Sequence, residues 1–253
     1  MRGALPGGVG LCIAGGVATL TLERPTTRNR LDPDLLAGVV RACETIDDDP
    51  EVRVTVLLGQ GPHFCAGLPR GMSGLPPGWP DAIAAVAGLA RPVIAAVAGD
   101  ATGWGLGLAL AADLRVAATT AIFQLPGLSR GTFGSGGTIA RLTRLIGPGR
   151  TAELVLLERA VDARTALAWG LVSSVVPVAR LRGEAARLAG ILARKAPRAL
   201  ELAKETVTRA LDLPLDDGCR LEHDCYVLLQ TTADRREGVA AFLARREPRF
   251  TGQ

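Results

Sequence analysis

At 253 residues, with 48% hydrophobic and 21% charged side chains, the chain is long enough for one large core and has no compositional sign of disorder. Its net charge of +4 comes from scattered arginines with no aromatic-interleaved basic stripe, which argues against a nucleic-acid partner. Five cysteines without a C-x-x-C pair, and two separated histidines (His63 and His223), predict no metal site and a reduced, cytoplasmic setting.

The first residues, broken by Pro6 and glycines through Gly16, lack the continuous apolar run of a secretory leader. Val9–Ile13 and Val17–Leu22 read as a β-hairpin turning at Ala14-Gly15-Gly16. Asp32-Pro33 then reads as a helix cap, and Leu35, Leu36, Val39, Val40, Cys43 and Ile46 follow at helical spacing. Val52–Leu58 is a buried strand, and residues 71–80 form a Gly/Pro-rich loop.

Asp81–Ala90 predicts an Ala-rich helix and Pro92–Val97 a strand. Glycines at 99, 103, 105 and 107 precede an apolar helix over Leu106–Ala112, followed by strands Leu114–Ala118 and Ala121–Gln124. The apolar stretch Pro92–Ala112 is broken by Asp100 and several glycines. It falls short of the run of about 18 apolar residues that a bilayer span needs, so no membrane partner is expected. A second glycine cluster opens a helix carrying Ile139, Leu142, Leu145 and Ile146. Helices over Gly149–Glu158 and Ala163–Trp169 and a strand over Gly170–Val176 come next, and then three or four helices broken at Pro197, Pro214 and Thr231. Strands early and helices late predict one α/β domain with a helical C-terminal extension.

Two loops can carry chemistry. Gly67, after the Val52 strand, lets the chain turn and present N–H groups. The first amides of a helix lack internal partners, so the loop at Gly103-Trp104-Gly105 has the same property. Two such donors suit a developing oxyanion, although glycine turns before helices are mostly structural. Other glycine patterns fail: no dinucleotide or phosphate-loop fingerprint exists, and Phe133 stands where a nucleophile elbow around Ser135 needs glycine.

Taken in order, the segments resemble the crotonase (enoyl-CoA hydratase/isomerase) superfamily. The resemblance is carried by Glu23-Arg24-Pro25 with Asn29, by Phe64-Cys65-Ala66-Gly67 and by Arg91-Pro92 through Gly99. Gly103-x-Gly105, Ala112-Asp113, Gly136-Gly137, Arg141-Leu142, Ala168-Trp169-Gly170-Leu171-Val172 and Gly238-Val239-x-Ala241-Phe242 continue it, from Val9 to Phe250 overall. It implies a single crotonase-like domain: a spiral of ββα units over about 1–195 and a helical trimerisation region over about 196–253.

The resemblance assigns the oxyanion donors to the backbone N–H groups of Leu68 and Trp104, where Trp104 replaces a usual glycine and its indole narrows or caps the pocket. Coenzyme A, as part of the substrate and with no further cofactor, would meet Arg28, Arg30, Ala66, Gly67, Leu68 and Arg70, with Phe242 and Arg245 reaching it from a neighbouring subunit of a homotrimer or hexamer. The two hydratase glutamates fall on Gly107 and Gly127, and a carboxylate of some isomerases and dehalogenases falls on Ser135. General acid–base groups supply about 10²–10⁴-fold each, so efficient hydration is not expected. Asp100, Ser135, Ser129, Arg130 and His63 are the groups left to fill the gap, with Asp100 equally a structural cap. Cys65, Asp113, Glu222 and His223 read as structural or interface residues.

The leading expectation is an acyl-CoA or acyl-carrier thioester enzyme whose oxyanion hole stabilises an enolate. Decarboxylation or isomerisation suits such a site better than hydration does. The alternatives are a non-catalytic homologue that binds thioesters or acts as a partner subunit, and, more weakly, a serine peptidase using Ser135.

Overall fold

The computed structural model describes residues 2–5, 7–69, 71–72, 74–134 and 136–253. Strands β1 (Arg2–Leu5), β2 (Val9–Ala14) and β3 (Val17–Leu22) form an antiparallel meander, with Ala14 opposite Val17 across the expected glycine turn. The sequence reading missed β1, a four-residue edge strand with little apolar alternation of its own. Helix α1 (Pro33–Asp48) begins as its sequence dictates: the Asp32 carboxylate accepts from the Leu35 N–H, and Pro33 occupies the first turn, where no donor is needed.

The chain continues through β4 (Val54–Gly59), α2 (Ala82–Gly88), β5 (Val93–Val97), β6 (Asp100–Thr102), α3 (Trp104–Leu110), β7 (Leu114–Ala118) and β8 (Ile122–Gln124). Next is α4 (Thr138–Leu156), which unites two predicted helices across a kink where Gly147, at φ 79°, precedes Pro148. Then come β9 (Val161–Asp162), α5 (Ala163–Trp169) and β10 (Ser174–Val176). Helices α6 (Leu181–Ala193), α7 (Pro197–Ala210), α8 (Leu215–Gln230) and α9 (Ala233–Leu243) close the chain, broken at the predicted points.

One sheet runs β1-β2-β3-β4-β5-β7-β10, parallel from β3 onward. A small second sheet runs β6-β8-β9, and Cys65 bridges to Ala101 at its edge. Successive turns of the spiral therefore add one strand to the large sheet and one extended segment to the small one: β4 with Cys65, β5 with β6, β7 with β8.

Alternation decides the packing. Val54, Val56 and Leu58, with Ile94, Ala96 and Val116, face Leu181, Ala185 and Ala189 of α6. Leu57, Val93, Ala95, Val97 and Ala117 face the opposite core, shared with α1, α2 and α3. A sheet covered on both faces explains why β4 reads as a continuous apolar run. Each fully buried aliphatic side chain there contributes roughly 1.5–3 kcal/mol. Asp113 ties this core together: its Oδ2 accepts from the Val93 N–H at 2.7 Å and pairs with Lys204 Nζ at 2.9 Å.

Candidate active site

The first donor loop is fixed from below. Cys65 N–H donates to Asp100 O at 2.8 Å and Thr102 N–H donates to Cys65 O at 3.1 Å, which locks the loop to β6. Asn29, fully buried at φ 53°, donates from Nδ2 to Gln60 O (3.0 Å) and His63 O (2.8 Å) and accepts the Arg24 N–H at 2.9 Å. Asparagine tolerates that left-handed backbone better than most residues, which is why it stands there. The Arg30 guanidinium donates to Ala66 O (3.2 Å) and Leu68 O (2.7 Å), and Leu31 N–H donates to Gly67 O (2.9 Å). Gly67 itself turns at φ 76°. With every carbonyl from 66 to 68 engaged, the Leu68 N–H has no acceptor among the described residues.

The second loop presents a matching donor. Gly103 N–H donates to Gln124 O at 2.9 Å, and the first amide of α3 to close a helical bond is Gly107, to Gly103 O at 3.1 Å. That leaves the Trp104 N–H with no acceptor among the described residues. The two loops touch: a Cβ built on Gly67 would stand 2.6 Å from Thr102 O and 3.3 Å from the Trp104 amide nitrogen. Leu68 and Trp104 both line one cleft of about 410 Å³, together with Arg30, Met72, Arg130, Thr132 and Phe133. Ala66 and Gly67 line it too, as expected for the first loop.

No carboxylate, histidine, cysteine or lysine is among the described residues lining this cleft. Its two charged side chains are Arg30, which braces the loop, and Arg130, whose guanidinium has no ion pair among the described residues. Gly107 and Gly127 lie close by, but neither spot is open space. A Cβ on Gly107 would stand 2.6 Å from Thr138 Oγ1 and 2.7 Å from Ile83 Cδ1; one on Gly127 would stand 2.9 Å from Thr132 O. The Gly127 N–H donates to the Glu158 carboxylate, which the Ser129 N–H also approaches at 3.3 Å. Those bonds, Gly127's first, hold the Glu158 pKa below the ordinary carboxylate value. Glu158 thus clamps the segment that carries Arg130, a role that escaped sequence reading because the two partners lie 31 residues apart.

The remaining expected residues fall elsewhere. Asp100 is not a cleft-lining residue: it is ion-paired with Arg28, and His63 Nδ1 lies 2.9 Å from its Oδ2. Arg28 is therefore joined to Asp100 rather than standing free for a phosphate, although its side chain stays half-exposed. Burial, and then the neighbouring Arg28 charge, lower the His63 pKa from 6.5. Cys65 is buried and its thiol is pushed up to about 12, mainly by desolvation, so it is no nucleophile. All five cysteines are free thiols. Phe242, 82% exposed on α9, and Arg245, just beyond that helix, do not line this chain's cleft. Arg70 and Ser135 lie outside the described residues. No helix among the described residues is long and apolar enough to cross a membrane.

Comparison with known proteins bears on the family and the fold. The sequence model of the family described as "Enoyl-CoA hydratase/isomerase" matches residues 13–253. A probable enoyl-CoA hydratase of Mycobacterium bovis is 36% identical over 244 residues, covering 93% of this chain and 94% of that protein. The 1,2-epoxyphenylacetyl-CoA isomerase of Escherichia coli is 34% identical over 251 residues, covering 94% of this chain and 96% of that protein. The crystal structure of an enoyl-CoA hydratase from Bacillus anthracis superposes with a TM-score of 0.91 at 33% identity, over 97% of this chain and 100% of that one.

Proposed function

This chain belongs to the enoyl-CoA hydratase/isomerase family, and from that premise we propose an acyl-thioester enzyme that holds an enolate oxygen between the N–H groups of Leu68 and Trp104, acting as a decarboxylase or isomerase rather than an efficient hydratase. One observation supports the reading: Leu68 and Trp104, whose amides have no acceptor among the described residues, both line a cleft whose described lining contains no carboxylate. A preorganised donor pair aimed at a developing oxyanion is often the largest single contribution to catalysis, with each donor contributing about 10²–10³-fold.

Decarboxylation uses such a pair without a base. In a malonyl-type thioester the Cα–carboxylate bond breaks and its electron pair moves into the thioester carbonyl. The resulting enolate oxygen is taken up by the two N–H groups, and CO2 leaves. Water then protonates Cα, and the hydroxide formed combines with CO2 as bicarbonate. Arg130, which lines the cleft and has no ion pair among the described residues, is the group that would draw an anionic acyl group in. Isomerisation, the other reaction of that proposal, needs a base that takes a proton from a substrate carbon; the described lining offers no carboxylate or imidazole, so decarboxylation is the favoured of the two. Coenzyme A enters only as part of the substrate, and an acyl-carrier thioester presents the same carbonyl.

A non-catalytic thioester binder is the second reading, favoured by the same lack of titratable groups. Exposed apolar side chains on the last helices, among them Leu215, Phe242 and Leu243, suit a homotrimer or hexamer in which Phe242 and Arg245 reach a neighbour's coenzyme. The deciding experiment incubates the purified protein with malonyl-CoA, methylmalonyl-CoA and crotonyl-CoA. We expect CO2 release from the first two to exceed crotonyl-CoA hydration. Binding of all three with turnover of none would leave the binder.

A further inference from the structure

Resting on the thioester reading, we propose that the Trp104 side chain is a specificity determinant: its indole closes the inner end of the cleft and restricts this protein to short acyl groups. Residue 104 has two separate parts in this site. Its amide is one of the two oxyanion donors of that reading, while the residue as a whole is only 4% exposed and is among those lining the cleft, and its indole edge packs against Gly136. A thioester oxygen held by that amide brings the acyl carbons within reach of the indole of the same residue. The highly charged nucleotide end of coenzyme A must stay in water, so the acyl group is the end that points inward.

The space around the indole is filled. A Cβ on Gly136 would stand 2.9 Å from Ile83 Cδ1, 3.1 Å from Trp104 Cη2 and 3.3 Å from Trp104 Cζ3. Gly107, one turn along α3 from Trp104, faces the same Ile83 methyl and Thr138. The indole and Ile83 therefore occupy the volume behind the donors, and glycine at 107 and 136 is what leaves them room. The 410 Å³ that remains is near the small end of ligand sites, about 300–1,000 Å³.

The indole is not placed there for stability alone. Its Nε1 is buried with no hydrogen-bond partner among the described residues, an arrangement that disfavours tryptophan over an equally bulky apolar side chain. Truncating an aromatic side chain at such a position opens space on the order of 150 Å³, enough for a benzene-sized group.

The test is equilibrium binding of acetyl-, butyryl-, octanoyl- and benzoyl-CoA by calorimetry to wild type, Trp104→Ala, Trp104→Phe and Ile83→Ala. Wild type should bind acetyl- and butyryl-CoA at least tenfold more tightly than octanoyl- and benzoyl-CoA, since each surplus methylene in a closed apolar pocket costs about 10-fold or more. Trp104→Ala should shift the octanoyl-to-acetyl ratio by tenfold or more, Ile83→Ala by less, and Trp104→Phe should keep the wild-type profile. A wild type indifferent to acyl length, or a folded Trp104→Ala with an unchanged profile, overturns the assignment while leaving the thioester reading intact. Failure of wild type to bind any CoA thioester overturns both.

Discussion

Replacing Gly67 by alanine tests the convergence of the two donors more sharply than any change at the donors themselves. The added methyl carbon would lie 2.6 Å from Thr102 O, closer than a Cβ tolerates, and 3.3 Å from the Trp104 amide nitrogen. Both neighbours are backbone atoms, so no side chain can swing aside. The residue must also hold φ 76°, which costs about 1–2 kcal/mol for an L side chain. In a protein of this size each kcal/mol lowers Tm by about 2–4 °C, so the strain alone predicts a fall of roughly 2–8 °C.

Relief of the methyl contact has to push the Leu68 and Trp104 amides apart. Losing one donor costs about 2.7–4 kcal/mol of transition-state stabilisation, or 10²–10³ in rate. Because the enolate forms only on the way to the transition state, the loss should appear in kcat more than in KM. Gly170→Ala is the control: Gly170 also has positive φ, at 78°, but nothing lies within 4 Å of its Cβ position. Malonyl-CoA decarboxylation and thermal melts of both variants give the comparison. A Gly67→Ala enzyme whose kcat stays within threefold of Gly170→Ala would refute the donor geometry.

Restoring a carboxylate at Gly107 should not restore hydration. The new Cβ meets Thr138 Oγ1 and Ile83 Cδ1 below 3 Å, so Gly107→Glu overpacks the site at about 1–3 kcal/mol and should melt several degrees lower. Adding Ile83→Ala should recover the melt; a stable single variant that hydrates crotonyl-CoA would show that the space is open. His63 supplies a pH prediction. Its pKa is lowered, so the neutral form suits the fold: stability is full above the ordinary value of 6.5 and declines as pH drops through the lowered folded value. Arg28→Gln removes one of the two causes, and the His63 ring resonances, followed by NMR, should then titrate at higher pH. An unchanged or lower midpoint would mean that Arg28 does not act on the imidazole.

The fold and the turns of the two glycine loops were legible in the sequence because they depend on near neighbours in the chain. Asp32-Pro33 caps and starts α1 within one turn, and the apolar run of β4 records a sheet covered on both faces. Gly67 and Gly103 mark backbone turns that other residues resist. Short elements were less legible: β6 and β9 span only three and two residues and take their identity from pairing with β8. The chemistry of the cleft was legible only as a pair of gaps, Gly107 and Gly127. What fills those gaps comes from residues distant in sequence, Ile83 and Thr138 around one and Thr132 around the other.

Asp100 shows most clearly why sequence position misled. It sits three residues before the second glycine loop, the natural spot for an acid, yet its carboxylate is ion-paired with Arg28 and lies against the His63 ring. The residue pairing that settled its role spans 72 positions in one case and 37 in the other, and no local pattern signals it. In the same way Trp104 looked like an intrusion at a glycine position. Its surroundings fit the bulk: glycine at 136 leaves room for the indole edge and Ile83, and glycine at 107 leaves room for Ile83 and Thr138. Trp104→Ala should therefore widen the cleft by itself, with Ile83→Ala widening it less.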